Sequence, residues 1–268
     1  MTLVVDGREI DFVESGCGQT ILFVSGSYGT PAAWRGMQKH LGDQYHCIAT
    51  SICGYGKTED ARTYDDLGME HEVKVIQGIA EHVGKPLNLV GYSFGATVAL
   101  ASALSGSLDF RSITTYEANP LALIREHGSQ ELFDVTHRMS TDFEKAYDRG
   151  EQDAAGRIID FWGGEGSFSA MPDVVKEYCR NTVFSNVLDW RTAFNFHATK
   201  ADYGKLDMPV LLVRGSLANE AMVAITDGLA DGLPNVRTEV VEGASHFLIT
   251  SHPESCAALL MDFLSDVR

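Results

Sequence analysis

Short apolar runs rich in β-branched residues alternate along this chain with longer stretches whose apolar positions recur every three or four residues. The runs LVV (3–5), EIDFV (9–13), TILFV (20–24), YHCIAT (45–50), LNLVG (87–91), SITTY (112–116), PVLLVR (209–214) and TEVVE (238–242) have the length and composition of strands. The stretches 31–41, 70–83, 94–105, 219–231 and 253–266 carry a helical period, and the last opens with a proline at an early helical position. ILFV and VLLV are apolar at every position. Such strands are covered on both faces, as in a parallel sheet between two helical layers. The first strands follow one another without helices, which predicts an antiparallel edge. The pattern therefore predicts an α/β fold built on a doubly wound, mostly parallel sheet of eight strands.

From about 120 to 205 the rhythm changes. No strand pattern is found there, but several amphipathic stretches are, ELFDVTHRMSTDFEKAYDRG among them. Helices inserted between two sheet strands rise above the C-terminal sheet edge, where open α/β sheets bind ligands. The division expected is a core of residues 1–119 and 206–268 and a helical cap of residues 120–205. The cap is rich in aromatic groups, Phe133, Phe143, Tyr147, Phe161, Trp162, Phe168, Phe184, Trp190 and Phe196. About one in three of these is expected to face a pocket, the rest packing the cap itself. WGGEGSFSA (162–170) reads as a glycine-rich loop, a hinge or a plain connector.

Bulk properties narrow the partners. At 268 residues and 44% hydrophobic, the chain can bury one large core. With 21 Lys and Arg against 37 Asp and Glu, a net charge of −16 repels nucleic-acid backbones and anionic membrane surfaces. No apolar run approaches the roughly 20 residues of a membrane helix, and the acidic start lacks the marks of a secretory signal. Cys17, Cys47, Cys53, Cys179 and Cys256 are odd in number and lack CxxC spacing, so neither a disulfide framework nor a zinc site is suggested. Each reads as a small buried hydrophobe in a reduced, cytoplasmic setting. No cofactor or metal is called for, the partner expected is a small-molecule substrate, and association with a second copy of the chain stays open.

The sharpest chemical signal is Gly91-Tyr92-Ser93-Phe94-Gly95, a G-x-S-x-G pattern with an apolar strand before it and helix-forming ATVALASAL after it. A strand that turns this abruptly into a helix forces its middle residue towards φ > 0 and crowds the flanking positions, so glycines there remove the clash. The serine hydroxyl is lifted clear of the sheet at the positive end of the new helix. A serine becomes nucleophilic only with a base in reach. Nine histidines are available for that role, and His252 among them suits the entry into the last helix.

At these residues the chain resembles the α/β-hydrolase family, over nearly its whole length. SGSYGTPAAW (25–34) is similar to the family's HGxxGxxxxW segment, with Ser25 in place of the histidine. The resemblance implies an oxyanion hole made of the backbone N–H groups of Ser27 and Phe94. Gly54-Tyr55-Gly56-Lys57-Thr58 resembles the family's structural GxGxS/T turn, and EGASHFLITSHPE its GAGHxxxxxxPE loop. The family's usual aspartate after the strand PVLLVRG is absent, since Ala218 stands there. A second family location, the end of the preceding core strand, carries Glu117; Glu220 is the alternative acid.

The resemblance therefore implies a serine hydrolase with Ser93 as nucleophile, His246 as base and Glu117 as orienting acid. Tyr28, Trp162 and Phe247 are its candidate pocket residues. The substrate expected is a small, mostly apolar ester, thioester or lactone; carbon–carbon bond hydrolysis and perhydrolysis use the same machinery on similar folds. Two other classes fit less well. GYGKT resembles the end of a phosphate loop, but Ser51 stands where that loop needs glycine. A non-catalytic small-molecule receptor on the same fold fits the displaced acid and lost histidine but not the intact serine and His246.

Overall fold

The structure, a computed structural model, describes residues 1–84 and 86–267. Strands β1 (Thr2–Val5), β2 (Arg8–Ser15), β3 (Gln19–Val24), β4 (Tyr45–Thr50), β5 (Leu87–Tyr92), β6 (Phe110–Tyr116), β7 (Val210–Gly215) and β8 (Val236–Val241) form one sheet in the order β1-β2-β4-β3-β5-β6-β7-β8. β1 pairs antiparallel with β2 and β2 with β4; every pairing from β4 to β8 is parallel. The mostly parallel eight-stranded sheet is thus as expected from the patterning. β8 begins two residues before the expected run and ends one residue earlier, because this edge strand is only partly buried and Arg237 separates Val236 from the rest of its apolar pattern.

Successive side chains of a strand point to opposite faces, and the core divides accordingly. Leu22, Val24, Leu89, Ile113, Val210 and Leu212 pack into one cluster with α2 (Glu70–Val83), α3 (Phe94–Leu104) and α10 (Glu220–Gly232). Ile21, Phe23, Val90, Leu211 and Val213 face the other way, against α1 (Arg35–Leu41), α11 (Leu248–Ser251) and α12 (Pro253–Asp266). From β3 the chain crosses to β4 on one side and then returns to β5 on the other, so the loops after β3 and β5 flank the point where strand order reverses.

Between β6 and β7 lie α4 (Gln130–Asp148), α5 (Gly156–Gly163), α6 (Ser167–Ala170), α7 (Asp173–Asn181), α8 (Val183–Asn195) and α9 (Lys200–Tyr203). Segment 162–170 differs from the expected loop. Trp162 and Gly163 end α5, residues 167–170 form α6, and only three residues connect them, with Gly164 and Gly166 at positive φ. Of the cysteines, Cys17 is exposed rather than buried, since it sits in the turn that leads into β3; the other four are buried. Burial pushes the thiols of Cys47 and Cys179 up to about 11 and that of Cys256 to about 12, so they stay protonated and inert. Among the described residues no helix is long and apolar enough to cross a membrane.

α8 is tied to the sheet by a buried charge cluster. The Arg62 guanidinium, with no side-chain exposure, contacts Asp60 at 2.8 Å, Glu72 at 3.0 Å and Asp189 of α8 at 2.9 Å, and donates to the Cys53 carbonyl at 3.2 Å. One cation faces three carboxyls, so protonation of one of them relieves repulsion. Burial pushes Glu72 up to about 6 from 4.5, with Arg62 opposing the rise. A carboxyl that holds its proton more tightly when folded adds stability below its unfolded value, and that stability is lost as pH rises through the folded value. The unfolding free energy of wild type relative to Glu72→Gln should therefore fall by about 2 kcal/mol between about pH 4.5 and 7. Urea titrations across that range measure it; parallel curves would mean a carboxyl ionised throughout.

Candidate active site

β5 ends at Tyr92 and α3 begins at Phe94, leaving Ser93 alone at the junction with φ 54° and ψ −128°. That conformation costs about 1–3 kcal/mol for a residue with a Cβ, and the surroundings hold it in place. The Ser93 N–H donates to the Tyr116 carbonyl of β6 at 2.9 Å, and the Ser93 carbonyl accepts from Ala96 and Thr97. A Cβ at Gly91 would lie 2.4 Å from Ala96 Cα, and one at Gly95 2.2 Å from the Ser25 carbonyl oxygen. Glycine 91 is thus needed against the new helix, whereas glycine 95 is needed against the end of β3.

Around Ser93 the structure gathers side chains from two other strand ends. His246 Nε2 lies 2.9 Å from Ser93 Oγ, and its Nδ1 lies 2.7 Å from Glu117 Oε2. All three residues are buried, Ser93 at 8% exposure, His246 at 5% and Glu117 at 2%. Glu117 directly follows β6, also at positive φ (51°), and its other oxygen accepts the Gly215 N–H at 2.7 Å. Glu220 is exposed at the first turn of α10, and His252 bonds Ser251 rather than any of these groups.

The β3 loop closes over the same point. Gly29 donates to Gly26 at 2.9 Å in a tight turn, Tyr28 takes φ 58°, and Trp34 donates to Ser25 Oγ, which in turn donates to the Thr30 carbonyl. Ser25 so fastens the base of this loop from inside the core. Among the described residues the backbone N–H groups of Ser27 and Phe94 have no hydrogen-bond partner.

A cavity of about 50 Å³ opens beside Ser93, lined by Ser27, Tyr28, Phe94, His246 and Phe247 from the sheet side and by Ile158, Ile159, Trp162, Asn186, Asp189, Trp190 and Ala193 from α5 and α8. Tyr28, Trp162 and Phe247 therefore line it, and the Trp162 ring lies 5.7 Å from that of His246. Of the nine aromatic residues expected to divide between cap core and pocket, Trp162 and Trp190 reach this cavity, while Phe143 is fully buried elsewhere and Phe184 is 40% exposed. Both the Trp162 indole N–H and the Tyr28 hydroxyl are buried without a partner among the described residues. Burial, followed by the nearby Cys179 and Asp189, holds the Tyr28 phenol well above its ordinary value, so it is neutral.

Sequence reasoning missed Asn186 and Asp189. They sit three residues apart in α8, in a run from Asn186 to Trp190 that is buried throughout. Two polar residues within that mostly apolar stretch, NVLDW, were the available signal. Asp189 Oδ2 accepts from the hydroxyls of Ser27 at 2.6 Å and Tyr55 at 2.7 Å. Burial raises its carboxyl, and Arg62 and these donors oppose the rise.

The phosphate-loop alternative finds no support in the Gly54–Thr58 turn, whose amides are already engaged. Gly54 donates to the Thr58 carbonyl, Thr58 to that of Tyr55, and Gly56 to the Tyr178 hydroxyl. Among the described residues no group of three His, Cys, Asp or Glu converges to hold a metal ion.

Comparison with known proteins bears on the fold and the family. Pimeloyl-[acyl-carrier protein] methyl ester esterase from Yersinia pseudotuberculosis is 22% identical over 248 residues, 87% of this chain and 88% of that one. Among solved structures, a thermophilic esterase from Thermogutta terrifontis superposes with a TM-score of 0.74 at 19% identity, covering 100% of this chain and 98% of that one. A bromoperoxidase from Bacillus anthracis superposes with a TM-score of 0.76 at 16% identity, covering 99% and 100%. Residues 21–259 match the alpha/beta hydrolase family as a whole, and with the sheet order and the strand-to-helix junction described above, the chain belongs to that family.

Proposed function

We propose that this protein is a serine hydrolase of the esterase type, cleaving small, mostly apolar and uncharged esters, thioesters or lactones through an acyl-enzyme. The contact between Ser93 Oγ and His246 Nε2 at 2.9 Å carries this reading. An ionised carboxylate only accepts hydrogen bonds, so Glu117 fixes the proton of His246 on Nδ1 and leaves Nε2 free to accept from the Ser93 hydroxyl. As Ser93 attacks the carbonyl carbon, its proton passes to Nε2, and Glu117 stabilises the cation that forms. The negative charge that develops on the carbonyl oxygen meets the N–H groups of Ser27 and Phe94 at the start of α3. Nε2 then gives the proton to the departing alcohol, thiol or ring oxygen. A water molecule, deprotonated by the same nitrogen, releases the acid. In this reading residues 120–205 act as a cap that closes the site, and the free N–H of Trp162 meets a substrate oxygen.

The size and charge of the cavity bear on the substrate. Its lining contains no Lys or Arg, and its one carboxylate, Asp189, already faces Arg62. An added carboxylate on the substrate would be desolvated there without a partner, which costs several kcal/mol. The Yersinia esterase acts, by its name, on a methyl ester carried on a protein. Here a cavity of about 50 Å³ suits a compact group.

Three outcomes test this reading. Ser93→Ala should abolish turnover of p-nitrophenyl butyrate, measured by nitrophenolate release; residual turnover near the wild-type rate would end the serine hydrolase assignment. Glu117→Gln should lower kcat by roughly three to four orders of magnitude with the fold intact by circular dichroism, because the correct tautomer of His246 is lost. A rate close to wild type would remove Glu117 from the mechanism. For charge, kcat/KM for p-nitrophenyl butyrate should exceed that for the mono-p-nitrophenyl ester of succinate by at least about tenfold, and equal values would contradict the uncharged-substrate assignment.

A further inference from the structure

We infer that Asp189 is a positioning residue for the oxyanion hole, holding the tip of the β3 loop in place from α8 through the Ser27 hydroxyl. The inference rests on the serine hydrolase reading, in which the Ser27 N–H is one of the two oxyanion donors. That N–H is useful only if the loop holds it aimed at the cavity beside Ser93. The base of the loop is fastened by Ser25 and Trp34. Its tip bears Tyr28 at φ 58°, a conformation that needs outside support in a residue with a side chain. At that tip the side-chain contact available to Ser27 is Asp189, at 2.6 Å.

Asp189 is a firm anchor. It is 2% exposed, and its Oδ2 accepts from Ser27, from Tyr55 at 2.7 Å and from Asn186 at 3.4 Å, while its Oδ1 faces Arg62 at 2.9 Å. Arg62 is itself gripped by Asp60 and Glu72. A short contact to an ionised acceptor is about twice as strong as one between neutral groups. The same helix meets the turn after β4 a second time, where Ser185 donates to the Gly54 carbonyl at 3.2 Å. Seating of α8 on the sheet edge and placement of the oxyanion donor are therefore one event. With α8 displaced, Ser27 loses its acceptor and the loop its outer support. Among the described residues Asp189 forms no hydrogen bond with Ser93 or His246, its Oδ2 is engaged by Ser27 and Tyr55, and its Oδ1 faces Arg62, so it has no part in proton transfer.

Ser27→Ala keeps the N–H and removes only the tether. Esterase assays with p-nitrophenyl butyrate should find kcat lowered by about tenfold or more and KM changed by less than about threefold, because a misaimed donor is felt mainly in the transition state. Asp189→Asn should act in the same direction. In the double variant the two losses should not multiply, since both break one link. Tyr55→Phe removes a second hydroxyl from the same Oδ2 but keeps both the Ser27 tether and the ring that packs against Tyr28, and should lower kcat less than Ser27→Ala does. A Ser27→Ala variant with wild-type kcat overturns the inference. So does a double variant whose losses multiply, or a Tyr55→Phe loss equal to that of Ser27→Ala. Should Asp189→Asn fail to fold, the Ser27 and Tyr55 variants decide between these outcomes. Turnover that survives Ser93→Ala is a different failure, since it removes the serine hydrolase reading beneath the inference.

Discussion

One backbone conformation governs the upper face of this molecule: Ser93 at φ 54°, caught between the end of β5 and the start of α3. The conformation is unfavourable alone and is stabilised by its neighbours, through the bond from its N–H to Tyr116 and the close packing of Gly91 and Gly95. Because the strand stops there, the hydroxyl leaves the plane of the sheet. Because the helix starts there, the Phe94 N–H is left without an intrahelical acceptor. A poised hydroxyl and an open donor are two outcomes of the same bend.

The sheet order gives that bend its company. β3, β5, β6 and β7 are adjacent and parallel, so the loops that leave them emerge side by side. Ser27 follows β3, Ser93 follows β5 and Glu117 follows β6, while His246 comes from the loop after β8. The sheet order thus brings Ser93 and His246 together although they lie 153 positions apart. The helices between β6 and β7 add a second wall, and Asp189 joins that wall to the first. Of the polar contacts between the core and this wall, those of Asp189 are among the buried ones.

Much of this was legible in the sequence, and for physical reasons. The central strands could be read because both their faces are buried, which leaves continuous apolar runs such as ILFV and VLLV. Ser93 stood out because it sits in a local pattern that the strand-to-helix turn requires, and His246 because its loop resembles the family's. The edge strand β8 was placed less well because one of its faces meets water. Cys17 defied the usual burial of cysteine because a turn offers it no core. Asp189 was invisible in a different way. Its meaning depends on Ser27, 162 positions earlier, and on Tyr55 and Arg62 in a third segment. Periodicity marks a helix face as buried but does not name what lies opposite it.

Glu117 joins the two kinds of information. The sequence pointed to it through the absence of an aspartate at position 218, and the geometry supplies the reason that a glutamate suits this place. Its backbone N–H donates to the Val213 carbonyl at 2.9 Å, which pins the residue beside β7, while its side chain must reach both Gly215 and His246. The extra methylene relative to aspartate provides that reach. β7 therefore contributes a backbone N–H where other members of the family contribute the acid itself, and that N–H occupies Oε1 at 2.7 Å. With one oxygen held, the carboxylate cannot rotate freely, and Oε2 is presented to the imidazole in a single orientation. In the proposed mechanism this fixed carboxylate meets the condition for holding His246 in one tautomer.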